Sequence, residues 1–246
     1  MRILVSIDDT DDAYSKGTGE IAETIASGLV DKGWAQVGRV TRHQLLIHPD
    51  IAYTSHNSSM CFDAEIAEDM LEQVIAWCAE TLRTESVEVA DPGLAVIALE
   101  RLDDPERLMS YGLAAKERIV TKDEAYALAA ELGVHLSEHG GSGIGVIGAL
   151  AGAGLKLTGN DGRFKGKFHI RGDEQGVAEV AQIKHQDVDL VATLDGVVLG
   201  NGERVVVGEE CKLILRDGAA VLMVSPSDEG AAAPWTVVDR KALRAF

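Results

Sequence analysis

Arg2-Ile3-Leu4-Val5-Ser6-Ile7-Asp8-Asp9-Thr10-Asp11-Asp12 changes character in mid-run, from a nearly continuous apolar segment to four carboxylates in five residues. A short apolar segment of this kind suits a strand buried on both faces. The acids then fall at the strand's C-terminal end, where open α/β sheets place their ligands. Ile21, Ile25 and Leu29 follow at every fourth residue beside Ala22 and Ala26, and Gly33 closes the pattern as a helix stop. Strand, acidic loop and helix form the opening unit.

Elements keep alternating outward from it. A second strand is expected within Val37 to His48, and Ser58 to Ile66 alternates, with Met60, Phe62, Ala64 and Ile66 on one side. Leu71, Val74, Ile75, Cys78 and Leu82 are at helical spacing, and Gly93 to Leu99 reads as another buried strand. Residues 103 to 133 are helical in pattern, and His139 to Leu150 is a glycine-rich turn leading into a helix of small residues. This order predicts an α/β or α+β fold with a mixed sheet. Near Thr158 to Gly162 the character changes. Short apolar runs from Val188 to Val224 are separated by Asp-Gly, Asn-Gly and Gly-Glu-Glu, the punctuation of β-turns. Three segments are therefore expected: 1–57 with the acidic loop, 58–159 ending in the glycine-rich helix, and a β-rich 160–246.

Composition narrows the class of protein. The 246 residues carry 23 basic and 40 acidic side chains, a net charge of −17, and are 46% hydrophobic, which excludes a disordered or fibrous chain. No apolar run reaches the ~20 residues of a membrane span. The first residues run straight into acid with no room for a signal peptide, so a cytoplasmic protein with no membrane partner is expected. Cys61, Cys78 and Cys211 are far apart, which supports neither a disulfide framework nor a cysteine zinc site. Residues 1 to 159 hold 12 basic and 26 acidic side chains, a net −14, and such a surface repels nucleic acid.

The candidate chemistry lies in a few short motifs. Crowded carboxylates repel one another unless a cation or water screens them. Asp8, Asp9 and Asp11 are thus either ligands of a hard cation, Mg²⁺ above all, or a solvated acidic turn. Lys16-Gly17-Thr18-Gly19 opens the following helix, where backbone N–H groups attract phosphate and glycine allows close approach. The other reading makes Thr18 the helix N-cap. Gly143-Ile144-Gly145-Val146-Ile147-Gly148 contains Gly-x-Gly-x-x-Gly without a clear preceding strand, so it is either a nucleotide loop or close helix packing. The spacing of His135 and His139, four apart, allows a shared helix face, but two histidines with no third ligand are more often surface residues than a zinc site. Arg163, Lys165, Lys167, His169 and Arg171 alternate with Phe164, Gly166, Phe168 and Ile170, which predicts a basic face along one strand. That face is either a nucleic-acid contact or charge protecting a sheet edge.

Several of these stretches, taken in order, resemble tRNA-isoleucine agmatinylcytidine synthetase. They are Arg2 to Asp11, Gly17-Thr18, His48-Pro49-Asp50-Ile51-Ala52-Tyr53-Thr54-Ser55-His56-Asn57 and Gly145 to Ala151. That family uses ATP to attach agmatine to a tRNA cytidine, and the resemblance covers about residues 1 to 155. It implies a kinase-like strand-loop-helix module over 1–57 and a ferredoxin-like region over 58–159. It also implies ATP and Mg²⁺ as cofactors, with Asp8, Asp9 and Asp11 handling metal and phosphate, Thr18 receiving phosphate and Asn57 positioning it. The resulting ATP-binding set is Lys16, Gly17, Thr18, Gly19, Asn57, Gly143 and Gly145.

Departures from the family pattern modify the expectation. Ser55 and His56 stand where the family has Arg and Gly, and serine cannot supply the bidentate phosphate contact of an arginine. Gly19 replaces the family's second threonine, and the chain has neither the cysteine pairs of its zinc ribbon nor room for its full tRNA-gripping apparatus. The expected activity is therefore kinase-like or ligase-like phosphotransfer to an acceptor other than tRNA. The alternatives are tRNA cytidine modification, held through Arg163, Lys165, Lys167 and Arg171, and a nucleotide-binding scaffold that has lost catalysis.

Overall fold

The computed structural model describes residues 1–12, 14–51, 57–208 and 210–245; Ser55 and His56 lie outside the described residues. The chain is a mixed α/β protein that divides into two compact units, Met1–Thr158 and Gly159–Phe246. Among the described residues no helix is long and apolar enough to cross a membrane.

In the first unit the opening apolar run is strand β1, Arg2–Asp8, buried at every position after Arg2. Helix α1, Thr18–Asp31, follows, and then two short strands, β2 (Ala35–Val37) and β3 (Thr41–Gln44), where one was expected. After them come β4 (Ser58–Ile66), α2 (Leu71–Glu85) and β5 (Gly93–Ala98). The sheet continues β5-β1-β4-β3, with β2 also on β4, and every one of these pairings is antiparallel. α2 crosses from β4 to β5, and β1 runs between those two strands in the opposite direction.

The long helical stretch is two helices, α3 (Pro105–Glu117) and α4 (Lys122–Leu132), divided where Thr121 starts a new capping box with Glu124. The shared helix face that the spacing of His135 and His139 allowed does not form. His135–Glu138 is strand β6, antiparallel to β5, and both imidazoles meet the Ser137 hydroxyl at 2.8 Å. A strand places residues 135, 137 and 139 on one side, and pairing with β5 outweighs local helical preference. The glycine-rich turn therefore does follow a strand. It leads into α5, Val146–Leu157.

Helices cover both faces of this sheet. Ile3, Val5 and Ile7 pack with Ile21, Ile25 and Leu29 of α1 and Val74, Cys78 and Leu82 of α2. Leu4, Ala95 and Ile97 point the other way, into a core with Leu108 of α3, Leu128 of α4 and Leu150 of α5. Two-sided burial is why β1 reads as continuous apolar sequence. The small residues of α5 let it lie close to the sheet: a Cβ on Gly152 would press on the Ser6 and Ser59 hydroxyls.

The second unit holds β7 (Arg163–Phe164), β8 (Val177–Glu179), α6 (Val180–Lys184), β9 (Leu190–Thr193), β10 (Arg204–Val206), β11 (Leu213–Arg216), β12 (Ala219–Pro226) and β13 (Trp235–Val237). Strand order is β7-β11-β12-β13-β10-β8, with β9 parallel to β12. Asp217 and Gly218, at φ 49° and 74°, make the two-residue turn between β11 and β12 that their sequence announced. The expected single basic strand is corrected. Only Arg163–Phe164 is strand, followed at Phe168 by an isolated bridge to Cys211. Phe164 and Ile170 are buried while Lys167, His169 and Arg171 are exposed, so the alternation reflects burial without a continuous ladder.

Candidate functional site

β1 ends in carboxylates because the sheet ends there. Asp8 is its last residue, paired across to Gly93, and Asp9 takes a left-handed backbone with φ 54° that aspartate tolerates better than most residues. A non-glycine residue held in this region marks a position that its surroundings overdetermine. The chain then returns through Asp11 to α1, where Gly17 is the N-cap and makes no side-chain cap. The reading of Thr18 as N-cap is thereby corrected: Thr18 is the first helical residue, and its hydroxyl donates to Asp11 Oδ1 at 3.0 Å.

Asp8, Asp9, Asp11 and Thr18 line one cleft of about 130 Å³. The segment after β3 adds Leu45, Asp50 and Ile51, and Asn57 and Ser58 lead into β4. Ala115 at the end of α3 and Arg118, Ile119 and Val120 of its link to α4 follow, and the start of α5 with the residues before it supplies Ile144, Gly145, Ile147 and Gly148. The glycines are there for contact. A Cβ on Gly148 would land on the Asp8 carboxylate and 3.0 Å from Leu45, and one on Gly145 would lie 3.1 Å from the Asp8 carbonyl. The glycine-rich motif thus packs its helix closely on the strand end.

The remaining predicted residues separate into two groups. Asn57 lines the cleft while its side-chain amide donates to the Leu46 carbonyl at 2.7 Å, fixing the segment that carries Leu45. Lys16, Gly17, Gly19 and Gly143 do not line it. Lys16 Nζ lies 2.8 Å from Glu85 of α2, and the Gly143 amide donates to Asp91 Oδ1 at 3.1 Å. Sequence reading missed Asp91, Arg118 and the apolar wall. A signal for the wall's anchor was present in Thr121-Lys122-Asp123-Glu124, a capping-box pattern that divides the helices.

Burial and crowding dominate the electrostatics. Asp8 is 9% exposed, and loss of solvent, helped by the charge of Asp9, pushes its carboxyl up to about 8. Asp9 is raised to about 6 by burial and then by Asp91 and Asp11. Asp8 consequently resists ionisation near neutral pH unless a cation joins it. Among the described residues no three His, Cys, Asp or Glu side chains enclose a metal by themselves. The donors are hard oxygens that suit Mg²⁺, an ion that keeps several waters and takes other ligands from substrate phosphate.

Fold and cleft together define an α/β protein with an acidic, half-apolar ligand cleft at the end of its first strand. No family model matches the chain, and no curated protein matches it in sequence. Its fold is TiaS-like. A complex of TiaS with an isoleucine tRNA and ATP aligns at TM-score 0.56 and 21% identity over 82% of this chain and 50% of that one. Apo TiaS, a tRNA agmatidine synthetase, aligns at 0.54 and 20% over 80% and 48%. A tRNA fluorescent labeling enzyme aligns at 0.56 and 23% over 71% and 40%. The chain thus spans 40 to 50% of the length of these structures.

Proposed function

We propose that the first unit is an ATP- and Mg²⁺-dependent phosphotransfer module, with 1–57 supplying its acids and hydroxyl and 58–159 its apolar wall and glycine-rich helix. The observation that carries this reading is the Thr18 hydroxyl donating to Asp11 inside a cleft that also holds Asp8 and Asp9. Mg²⁺ held by Asp8 and Asp9 would neutralise nucleotide phosphates that four carboxylates would otherwise repel. With a nucleotide so held, Thr18 Oγ1 would be the nucleophile toward its terminal phosphoryl group and Asp11, which accepts its hydroxyl, would take the proton, leaving ADP as the departing group. Asn57 and Gly145 shape the cleft around the phosphates. Lys16, Gly17, Gly19 and Gly143 act at most as supports.

Intact-mass measurement after incubation with ATP and Mg²⁺ tests the reading. One added phosphate in the wild type and none in Thr18→Ala is the expected result; an unmodified wild type that still hydrolyses ATP would remove Thr18 from the mechanism. The net −14 over residues 1 to 159 supports an acceptor other than tRNA. A second reading, tRNA modification, is favoured by the likeness in fold to a complex of TiaS with tRNA and ATP. A submicromolar complex with isoleucine tRNA at physiological salt would decide for the second.

A further inference from the structure

The cleft gathers four carboxylates, Asp8, Asp9, Asp11 and Asp50, and among its described lining residues one cationic side chain, Arg118. No sequence pattern marked it. It caps the C-terminus of α3, where the backbone turns extended, and its guanidinium is fixed from one side: Nη2 donates to Glu124 Oε1 at 2.8 Å and Nη1 to the Ile119 carbonyl at 3.1 Å. Glu124 is itself anchored, since its Oε2 accepts from the Thr121 amide at 2.8 Å and the Thr121 hydroxyl at 3.0 Å in the capping box of α4. A guanidinium has five donors in one rigid plane, so two bonds orient it and leave the others for a ligand.

Its surroundings define what that ligand group is. Ala115, Ile119 and Val120 line the cleft beside Arg118, and a guanidinium-phosphate contact is a charge-assisted hydrogen bond, stronger than a neutral one. An anion entering an otherwise acidic cleft meets repulsion everywhere except at a bound cation and at this side chain. We propose that Arg118 is the phosphate-binding residue of the cleft, meeting a phosphoryl oxygen of the nucleotide while Glu124 holds its orientation; this rests on the nucleotide reading above.

Calorimetric binding of Mg-ATP to Arg118→Gln and Arg118→Lys tests it. Arg118 is about half exposed, so both variants should keep the thermal midpoint of the wild type in the absence of ligand. Arg118→Gln should weaken binding about ten-fold or more, and Arg118→Lys should recover part of the loss by keeping the charge. Unchanged affinity in Arg118→Gln, or equal weakening in both variants, would overturn the assignment. A wild type that binds no adenine nucleotide would defeat the nucleotide reading instead. The phosphate role is then read separately, from protection of Arg118 against phenylglyoxal by magnesium tripolyphosphate, scored by peptide mass: protection upholds it, and full modification ends it.

Discussion

Replacing Asp8 by Asn should make the protein more stable, and more so as pH rises. In the folded chain the Asp8 carboxyl is raised to about 8 from an ordinary 3.8, chiefly because burial strips its water and secondly because Asp9 stands beside it. A carboxyl raised on folding favours the native state fully below its unfolded value, and that contribution is lost as pH climbs toward the folded value. The window is therefore about pH 4 to 8. Each unit of difference is about 1.36 kcal/mol, so the cost reaches on the order of 4 to 5 kcal/mol near neutral pH, an upper figure for a coupled group. Asn has nearly the same shape, which matters because Gly148 leaves no spare room over this side chain. Urea unfolding of both proteins at about pH 4.5 and about pH 7.5 is the assay. The difference between them should be about 1 kcal/mol at the lower pH and several kcal/mol at the higher. Mg²⁺ should flatten the wild-type pH dependence and leave Asp8→Asn unmoved. A gap between the variants that does not change with pH would refute the reasoning.

Thr18→Ala should cost about 0.5 to 1.5 kcal/mol through loss of the bond to Asp11, while Thr18→Ser should retain the bond and some phosphate incorporation by mass measurement. Gly148→Ala puts a methyl group on Asp8 and Leu45 and should lower stability by about 1 to 3 kcal/mol, together with loss of Mg²⁺ stabilisation in thermal unfolding. Lys16→Ala removes an exposed ion pair with Glu85, so its thermal midpoint should stay close to the wild type and its nucleotide affinity should change by nothing measurable in calorimetry.

Much of the fold was legible because it rests on local pattern. β1 was visible as an apolar run, β4 at its residues 58–66, α1 by its four-residue spacing, and the β11–β12 turn by Asp-Gly. These features depend on periodicity and turn chemistry, which neighbouring residues supply. β6 was not legible: four residues on a sheet edge carry little pattern, and their pairing with β5 decides their conformation. Residues 163–171 erred in the opposite sense. Alternating burial there resembles a strand although the ladder covers two residues.

For the site, the sequence by itself determined the acids, the Thr18 hydroxyl and their place after a buried strand, since all of these lie within eleven residues of one another. Only the tertiary structure decided what faces them. Arg118 and the apolar wall arrive from a link between two helices about a hundred residues away, and α5 is drawn against Asp8 by glycines whose role shows only once their neighbours are in place. Packing also took the cap position from Thr18, giving it to Gly17 and turning the Thr18 hydroxyl to Asp11. The physical reason is one of range. Backbone preference and charge crowding act between sequence neighbours, whereas burial, which raises the Asp8 carboxyl, is set by residues that only folding brings together.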